Sequence, residues 1–322
     1  MLFSRSRSLW LCLAVASAVL ASACKKEARR GPGSRGTGGE LSPIDLTAFP
    51  ADPDVTARVL RMPFEEAARR LGSLAFEGRT FFVFNRGGEE RELTHLGRLT
   101  QDAAGNFHIA SDTGQNQVEL YLIDEFVYVR QDKGKLRRKP RRDVSTEAWR
   151  DLVWSSVQQT LGLFAPRLRL IDARPDTAAG RPAIRYRISL APEGETGVSL
   201  PAAVPPLPLA PTSRWREIAH PLSATGSLWV DSATGVVLKI KVEGRLEVAD
   251  RDVRPTQLTL RFDGNVTKPG AVAAVVAPES VPEYERTPPP ADPLSFFRAD
   301  LKEAGAAAVV PGATTPPTAP GR

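Results

Sequence analysis

Gly226-Ser-Leu-Trp-Val-Asp-Ser-Ala-Thr-Gly-Val-Val-Leu-Lys-Ile240 is two strand-forming runs around a five-residue turn. Trp229, Val230, Val236, Val237 and Ile240 suit a pleated, half-buried surface. Asp231 offers a side-chain acceptor to the turn's N–H groups, and Gly235 tolerates positive φ without steric cost. A connection this short joins antiparallel strands, because parallel strands need a crossover of a dozen or more residues. The stretch predicts a hairpin of strands 226–231 and 236–249 and makes antiparallel pairing the starting assumption for the rest of the chain.

Working outward, the same period recurs. Residues 76–84, 90–100, 106–111, 117–123 and 125–131 read as five consecutive strands. Their breaks carry turn chemistry: Arg86-Gly87-Gly88, Asp102-Ala-Ala-Gly105-Asn106 and Asp112-Thr113-Gly114. Residues 167–173 and 182–191 alternate arginine with Leu, Ile or Tyr, which predicts a sheet with one wet face. Residues 256–266 add another strand. Residues 192–211 hold six prolines and read as an irregular excursion. No repeat of 20–50 residues is visible.

Two helices interrupt the strands. In residues 62–71, Phe64, Ala67, Ala68 and Leu71 recur at helical spacing, with Gly72 as the breaker. Residues 146–162 predict one longer helix, capped by Ser145 and striped by Trp149, Leu152, Val153, Val157 and Leu161. Trp154 falls off the centre of that stripe. Both tryptophans fit packing on the sheet better than a ligand-contacting lid. A short helix is expected over 293–303, and the Ala/Pro/Thr/Gly tail from 305 is expected to be disordered. The pattern is mainly β with α: a large curved antiparallel sheet, an unclosed β-barrel, covered by helices. A flat sheet of about ten strands would leave long edges open, so strong curvature is expected.

The N-terminus reads as an export signal. Arg5 and Arg7 precede an apolar run from Leu9 to Leu20, which is short for a bilayer span. Leu20-Ala21-Ser22-Ala23-Cys24 then turns abruptly polar, and it resembles the lipobox of bacterial lipoproteins, with Cys24 as the acylated residue. An ordinary secretory signal cut after Ala23 is the other reading. The only other cysteine, Cys12, lies inside the apolar run, so the mature domain has no disulfide to draw on. The expected organisation is a signal at 1–23, a flexible basic tether at 24–45, one β-rich domain at 46–280 and a Pro/Ala-rich tail at 281–322.

Charge argues against nucleic acid. Arg5 and Arg7, together with Lys25, Lys26, Arg29, Arg30 and Arg35 against Glu27, account for the whole formal charge of +6. Residues 40–322 are therefore neutral. Lys25 to Arg35 would lie beside lipid headgroups, or simply in solvent. A second run, Lys133, Lys135, Arg137, Arg138, Lys139, Arg141 and Arg142, is placed in a connecting ribbon or loop. It reads as a contact for anionic headgroups, a patch for an acidic partner, or simply a solvated face or an edge strand guarded by charge against aggregation.

The order of elements over 62–278 resembles the LolA/LolB group and the related mycobacterial LppX/LprG lipoproteins. The residues that carry it are a helix before Phe76-Glu-Gly-Arg-Thr-Phe-Phe-Val-Phe84, then Glu125-Phe-Val-Tyr-Val-Arg130, a helix, Gly180-Arg-Pro-Ala-Ile-Arg-Tyr-Arg-Ile-Ser189, and the 226–240 hairpin. The resemblance implies a half-open antiparallel barrel plugged by helices, with acyl chains carried in the apolar space between. Phe76, Phe82, Phe84, Leu120, Leu122, Phe126, Tyr128, Trp149 and Val153 are the candidate lining, or a filled core. The implied role is a non-enzymatic, membrane-anchored envelope lipoprotein that binds lipid or lipoprotein acyl chains, favouring the outer membrane. The alternative is a structural or adhesion lipoprotein binding protein or polysaccharide.

Catalytic signatures are absent from the sequence: there is no Gly-x-Ser-x-Gly, His-Glu-x-x-His or Gly-rich phosphate loop. His95 and His108 fall on neighbouring strands and could approach one another, but no third ligand is placed, so no metal or cofactor is expected. His220 has no evident partner, and Asn265-Val-Thr267 has the form of a glycosylation acceptor.

Overall fold

The computed structural model describes residues 41–114, 116–141, 146–165, 167–197, 216, 218–248, 256–279 and 281. Two antiparallel meanders make up the fold. The first is β1 (Leu74–Arg86), β2 (Glu89–Gln101), β3 (Phe107–Asp112), β4 (Gln117–Ile123), β5 (Phe126–Gln131) and β6 (Arg137–Pro140). The second is β7 (Leu168–Ala178), β8 (Arg181–Leu190), β9 (Ala219–Asp231), β10 (Val237–Val248) and β11 (Thr256–Thr267). Pairing of β1 with β11 fuses them into one sheet of eleven strands, in the order β6-β5-β4-β3-β2-β1-β11-β10-β9-β8-β7. β6 and β7 are its two edges, so the barrel is not closed.

Period-2 alternation divides the sheet into two faces. Leu99, Ile109, Leu120, Val127, Leu228, Leu238, Ile240, Leu246, Leu258, Leu260 and Val266 are buried on the inner face. The outer face carries a ladder of ion pairs, including Glu77 with Arg98 at 2.9 Å, Lys241 with Asp263 at 3.4 Å and Glu243 with Arg261 at 3.3 Å. Most of these residues are half exposed, so the ladder adds solubility more than stability.

Four helices lie in the described residues: α1 (Pro53–Leu60), α2 (Phe64–Leu71), α3 (Glu147–Trp154) and α4 (Ser156–Gly162). A row of facing glycines seats α3 and α4. Gly78 of β1 stands opposite Gly97 of β2 on one side and Gly264 of β11 on the other, all three on the inner face. A Cβ added at Gly97 would stand 3.1 Å from Val153, and one at Gly78 would stand 3.1 Å from the Ser156 hydroxyl. Missing side chains thus let the helix pair approach the sheet backbone. Trp154 fastens it from above, donating its Nε1–H to the Met62 carbonyl at 2.8 Å in a buried bond. Trp154→Phe leaves that carbonyl unpaired and is expected to cost about 1–3 kcal/mol. A lowered urea midpoint at constant m-value is the check.

Several expectations change here. The single helix over 146–162 is broken at Ser155, whose hydroxyl donates to Leu152 O at 3.1 Å while that of Ser156 donates to Val153 O at 2.7 Å. Adjacent serines bonding back to the helix carbonyls bend it. Ser145 lies outside the described residues, and Thr146 occupies the N-cap position without a side-chain bond to the helix N–H groups. The expected helix at 62–71 begins at Phe64, after Pro63. α1 was not expected, yet Asp52 caps it by accepting from Asp54 N and Val55 N at 2.8 and 3.0 Å, with Pro53 in the first turn.

The strand expected over 167–173 runs on to Ala178. Asp172 adopts φ 55° at a register shift between Ile171 and Arg174, a bulge that interrupts the alternation without ending the strand. The basic run is not wholly a connecting ribbon or loop: Arg137–Pro140 pairs with Val129–Phe126 as the edge strand β6. The Leu9–Leu20 run, Cys24, Arg142, the excursion beyond residue 197 and the helix expected at 293–303 lie outside the described residues.

Candidate functional site

Most of the expected lining is sealed. Phe76, Leu120, Leu122 and Val153 are buried, and Trp149 packs partly buried against the same core. The Phe76 ring meets Trp154 edge-on at 5.2 Å, and Trp154 meets Phe64 edge-on at 5.5 Å. This half of the inner face is therefore a filled core rather than a cavity.

Phe126 and Tyr128 are not brought to the inner face. Asp124-Glu125 is a two-residue turn, with Ile123 opposite Phe126, Leu122 opposite Val127 and Tyr121 opposite Tyr128. Val127 therefore takes the inner position beside Leu122, and its two neighbours point outward. The guanidinium of Arg138 stands 4.7 Å above the Phe126 ring there.

The apolar inner face continues beyond the helices. Phe82 stands opposite Leu93 on β2 and Leu260 on β11, and Phe84 stands opposite Leu258. The Phe82 and Phe84 rings are 6.0 Å apart. Phe82 is buried and Phe84 half-buried, but Leu93 is 39% exposed although it belongs to the inner face. β3 pairs with β2 only from Leu96 onward, so no strand flanks Leu93 on that side. The result is an apolar strip of Phe82, Phe84 and Leu93 on an overhanging hairpin.

Polar groups border this strip. His95, two residues along β2 from Leu93, lies 3.1 Å from the Ser111 hydroxyl through Nε2. Burial holds the His95 pKa below its ordinary value, and the nearby Arg216 cation lowers it further against an opposing pull from Asp112. Burial also depresses the Arg216 guanidinium, which donates to Gln159 Oε1 at 3.1 Å. An imidazole, a hydroxyl and a half-buried guanidinium thus lie close to the apolar surface.

His108 faces the other way. It stacks on Tyr121 with centroids 4.1 Å apart and approaches Glu119 Oε1 at 3.2 Å on the outer face. The two histidines therefore cannot share an ion. Among the described residues, no group of three His, Cys, Asp or Glu side chains could hold a metal. Burial, then the hydrogen bond to Glu119, pushes Tyr121 up to about 12. Beside this cluster is an outer trough of about 210 Å³, floored by Leu96 and Ala110 and bordered by Arg98, Asp112, Glu119 and Arg130. It opens because Ala110 interrupts a row of long charged side chains, standing directly between Arg98 and Glu119.

The basic run divides between two settings. Arg137, Arg138 and Lys139 belong to β6, while Lys133 and Lys135 occupy the turn before it. Arg141 pairs with Glu147 at 3.2 Å. Sequence reading missed Leu93, His95 in its polar setting, and Arg216. The alternation of β2 places Leu93 on the core face, but nothing local says that the face is left open there.

No protein-family model matches the chain, and no curated protein matches it. Solved structures do align with parts of it. A LolA superfamily protein from Nitrosomonas europaea is 8% identical at a TM-score of 0.20, covering 67% of this chain and 93% of that one. A DUF1329 family protein from Desulfovibrio piger is 8% identical at 0.19, covering 65% and 92%. MucB of Pseudomonas aeruginosa, solved in complex with MucA, is 17% identical at 0.19, and the match spans 65% of this chain and only 56% of MucB's. Superpositions at these scores are shallow. The antiparallel register itself establishes the architecture, an unclosed sheet with helices on its inner side.

Proposed function

We propose that this is a non-enzymatic envelope lipoprotein that holds an acyl chain against the strip formed by Phe82, Phe84 and Leu93. The observation that carries the reading is Leu93, 39% exposed on a face whose other apolar residues are mostly buried. An acyl chain laid along the strip would remove that surface from water at about 0.8 kcal/mol per buried CH₂. His95 and Arg216 would stand near its polar end. Acylation at Cys24 would tether the domain to the membrane, with the outer membrane favoured, and the basic segment after it would add attraction to anionic lipid.

Native mass spectrometry and solvent extraction of the purified protein test the proposal. Acyl lipid is expected to co-purify. Leu93→Asp is expected to reduce its occupancy at least tenfold while moving the urea midpoint little, because the side chain is already substantially exposed. Lipid-free wild-type protein that also fails to take up fatty acid or phospholipid would sink the reading. The outer trough favours a second reading, a binder of protein or polysaccharide, since guanidinium and carboxylate groups line a shallow polar concavity. Loss of glycan binding on Arg98→Ala, with lipid occupancy unchanged, would select it.

A further inference from the structure

We propose that the β5–β6 hairpin docks the domain on an anionic lipid surface. Residues 125–141 hold seven cations, Arg130, Lys133, Lys135, Arg137, Arg138, Lys139 and Arg141, against Glu125 and Asp132. Because residues 40–322 are neutral, this +5 is balanced by acid elsewhere in that span. The hairpin is therefore the cationic pole of a body whose remaining residues are net acidic.

Within the hairpin Arg130 pairs with Glu119 and Arg141 with Glu147 at 3.2 Å, so the cations that stand apart are the lysines of its turn. At the opposite edge, Arg187 pairs with Asp172 at 2.8 Å, Arg185 with Asp176 at 3.9 Å, Arg169 with Glu195 and Arg181 with Asp231. That edge is basic in sequence and neutralised in space. Lys133 and Lys135 are exposed, and neither forms an ion pair among the described residues. The nearest acid in sequence, Asp132, is engaged elsewhere, accepting Gln117 N–H at 2.9 Å.

Protection of an open edge does not account for these two lysines. The last ladder pair between the strands is Val129 with Arg137, so Lys133 and Lys135 lie in the turn, beyond the backbone groups a guard would shield. Flexible ammonium groups on a projecting turn can reach lipid phosphates, each worth about 1 kcal/mol near an anionic surface and screened beyond about 10 Å. A flat anionic membrane is the occupant that engages the turn and the outer edge of β6 at once, whereas an acidic peptide would need only one of them.

This docking stands apart from acyl-chain holding, and one experiment separates the two. Full-length protein is sedimented with vesicles of phosphatidylcholine alone and of phosphatidylcholine with phosphatidylglycerol, for wild type, K133Q/K135Q and the tether control K25Q/K26Q. The ratio of the two affinities removes any contribution of an acyl anchor. Wild type is expected to prefer anionic vesicles, and K133Q/K135Q to lose about thirtyfold of that preference, at about 1 kcal/mol per cation. The hairpin loss is expected whatever the tether control shows. An unchanged ratio in K133Q/K135Q overturns the proposal, as does a wild type without anionic preference. Lipid occupancy measured on the same variant reports on acyl-chain holding, and it is expected to stay at the wild-type level.

Discussion

Gly226→Ala is expected to destabilise the fold by about 3–5 kcal/mol, a large share of the about 5–15 kcal/mol typical of a domain. Gly226 adopts φ 154° in the middle of β9, opposite Val242 of β10 and Ile188 of β8. A Cβ built there falls 2.0 Å from the Lys241 carbonyl oxygen and 2.9 Å from Val242 Cα. Both atoms are backbone, so neither can rotate away as a side chain would. The alanine must open the β9–β10 ladder or change its own backbone conformation, and either route loses ladder bonds in a buried strand pair. Gly180→Ala is the control. It also sits at positive φ, 73°, but nothing lies within 4 Å of its Cβ position, so only conformational strain of about 1 kcal/mol applies. Equal urea midpoints for the two variants would refute the close-approach explanation.

The contrast between those glycines shows what local sequence could convey. Turn glycines such as Gly180 and Gly235 are legible because turn chemistry is local. Gly226, and the facing row of Gly78, Gly97 and Gly264, acquire meaning only through pairing, and the β1–β11 pairing joins residues almost two hundred positions apart. Most strands were legible from alternation. β6 was legible only as an alternative, an edge strand guarded by charge, because Arg137-Arg-Lys-Pro140 has the composition of a loop and forms a strand only as an edge that tolerates charge and proline. The outward placement of Phe126 and Tyr128 was within reach: once Asp124-Glu125 is taken as a two-residue turn, Leu122 must face the same side as Val127. The exposure of Leu93 was out of reach. It depends on how far α3 and α4 extend over the sheet, which the Ser155–Ser156 break and the glycine row decide together.

Asp231→Ala is the second large loss, expected at about 3 kcal/mol, and it carries a pH signature. The side chain is 1% exposed at the end of β9. Its Oδ1 accepts from Ala233 N at 3.0 Å, Thr234 N at 2.8 Å and the Thr234 hydroxyl at 2.9 Å, while Oδ2 accepts from Arg181 Nε. One carboxylate thus closes the β9–β10 turn and ties it to the first residue of β8. Burial pushes its pKa up, but the Arg181 hydrogen bond, the Thr234 hydroxyl and N–H, and the Arg181 charge together outweigh burial and hold it below the usual carboxylate value. The same bond raises the guanidinium. Arg181 is one-third exposed, so water recovers part of what it loses, and the larger cost falls on the turn's orphaned N–H groups. With the folded pKa below the unfolded value near 3.9, the charged form contributes its full stability at pH values above that and loses it as pH falls toward the folded pKa. Asp231→Asn, which keeps the shape and removes the charge, is expected to cost less at pH 7 and to shed this part of the acid dependence. Unfolding free energies at pH 7 and pH 3 should therefore differ less in the Asn variant than in wild type. Identical differences would show that the turn is held by its shape and not by the buried charge.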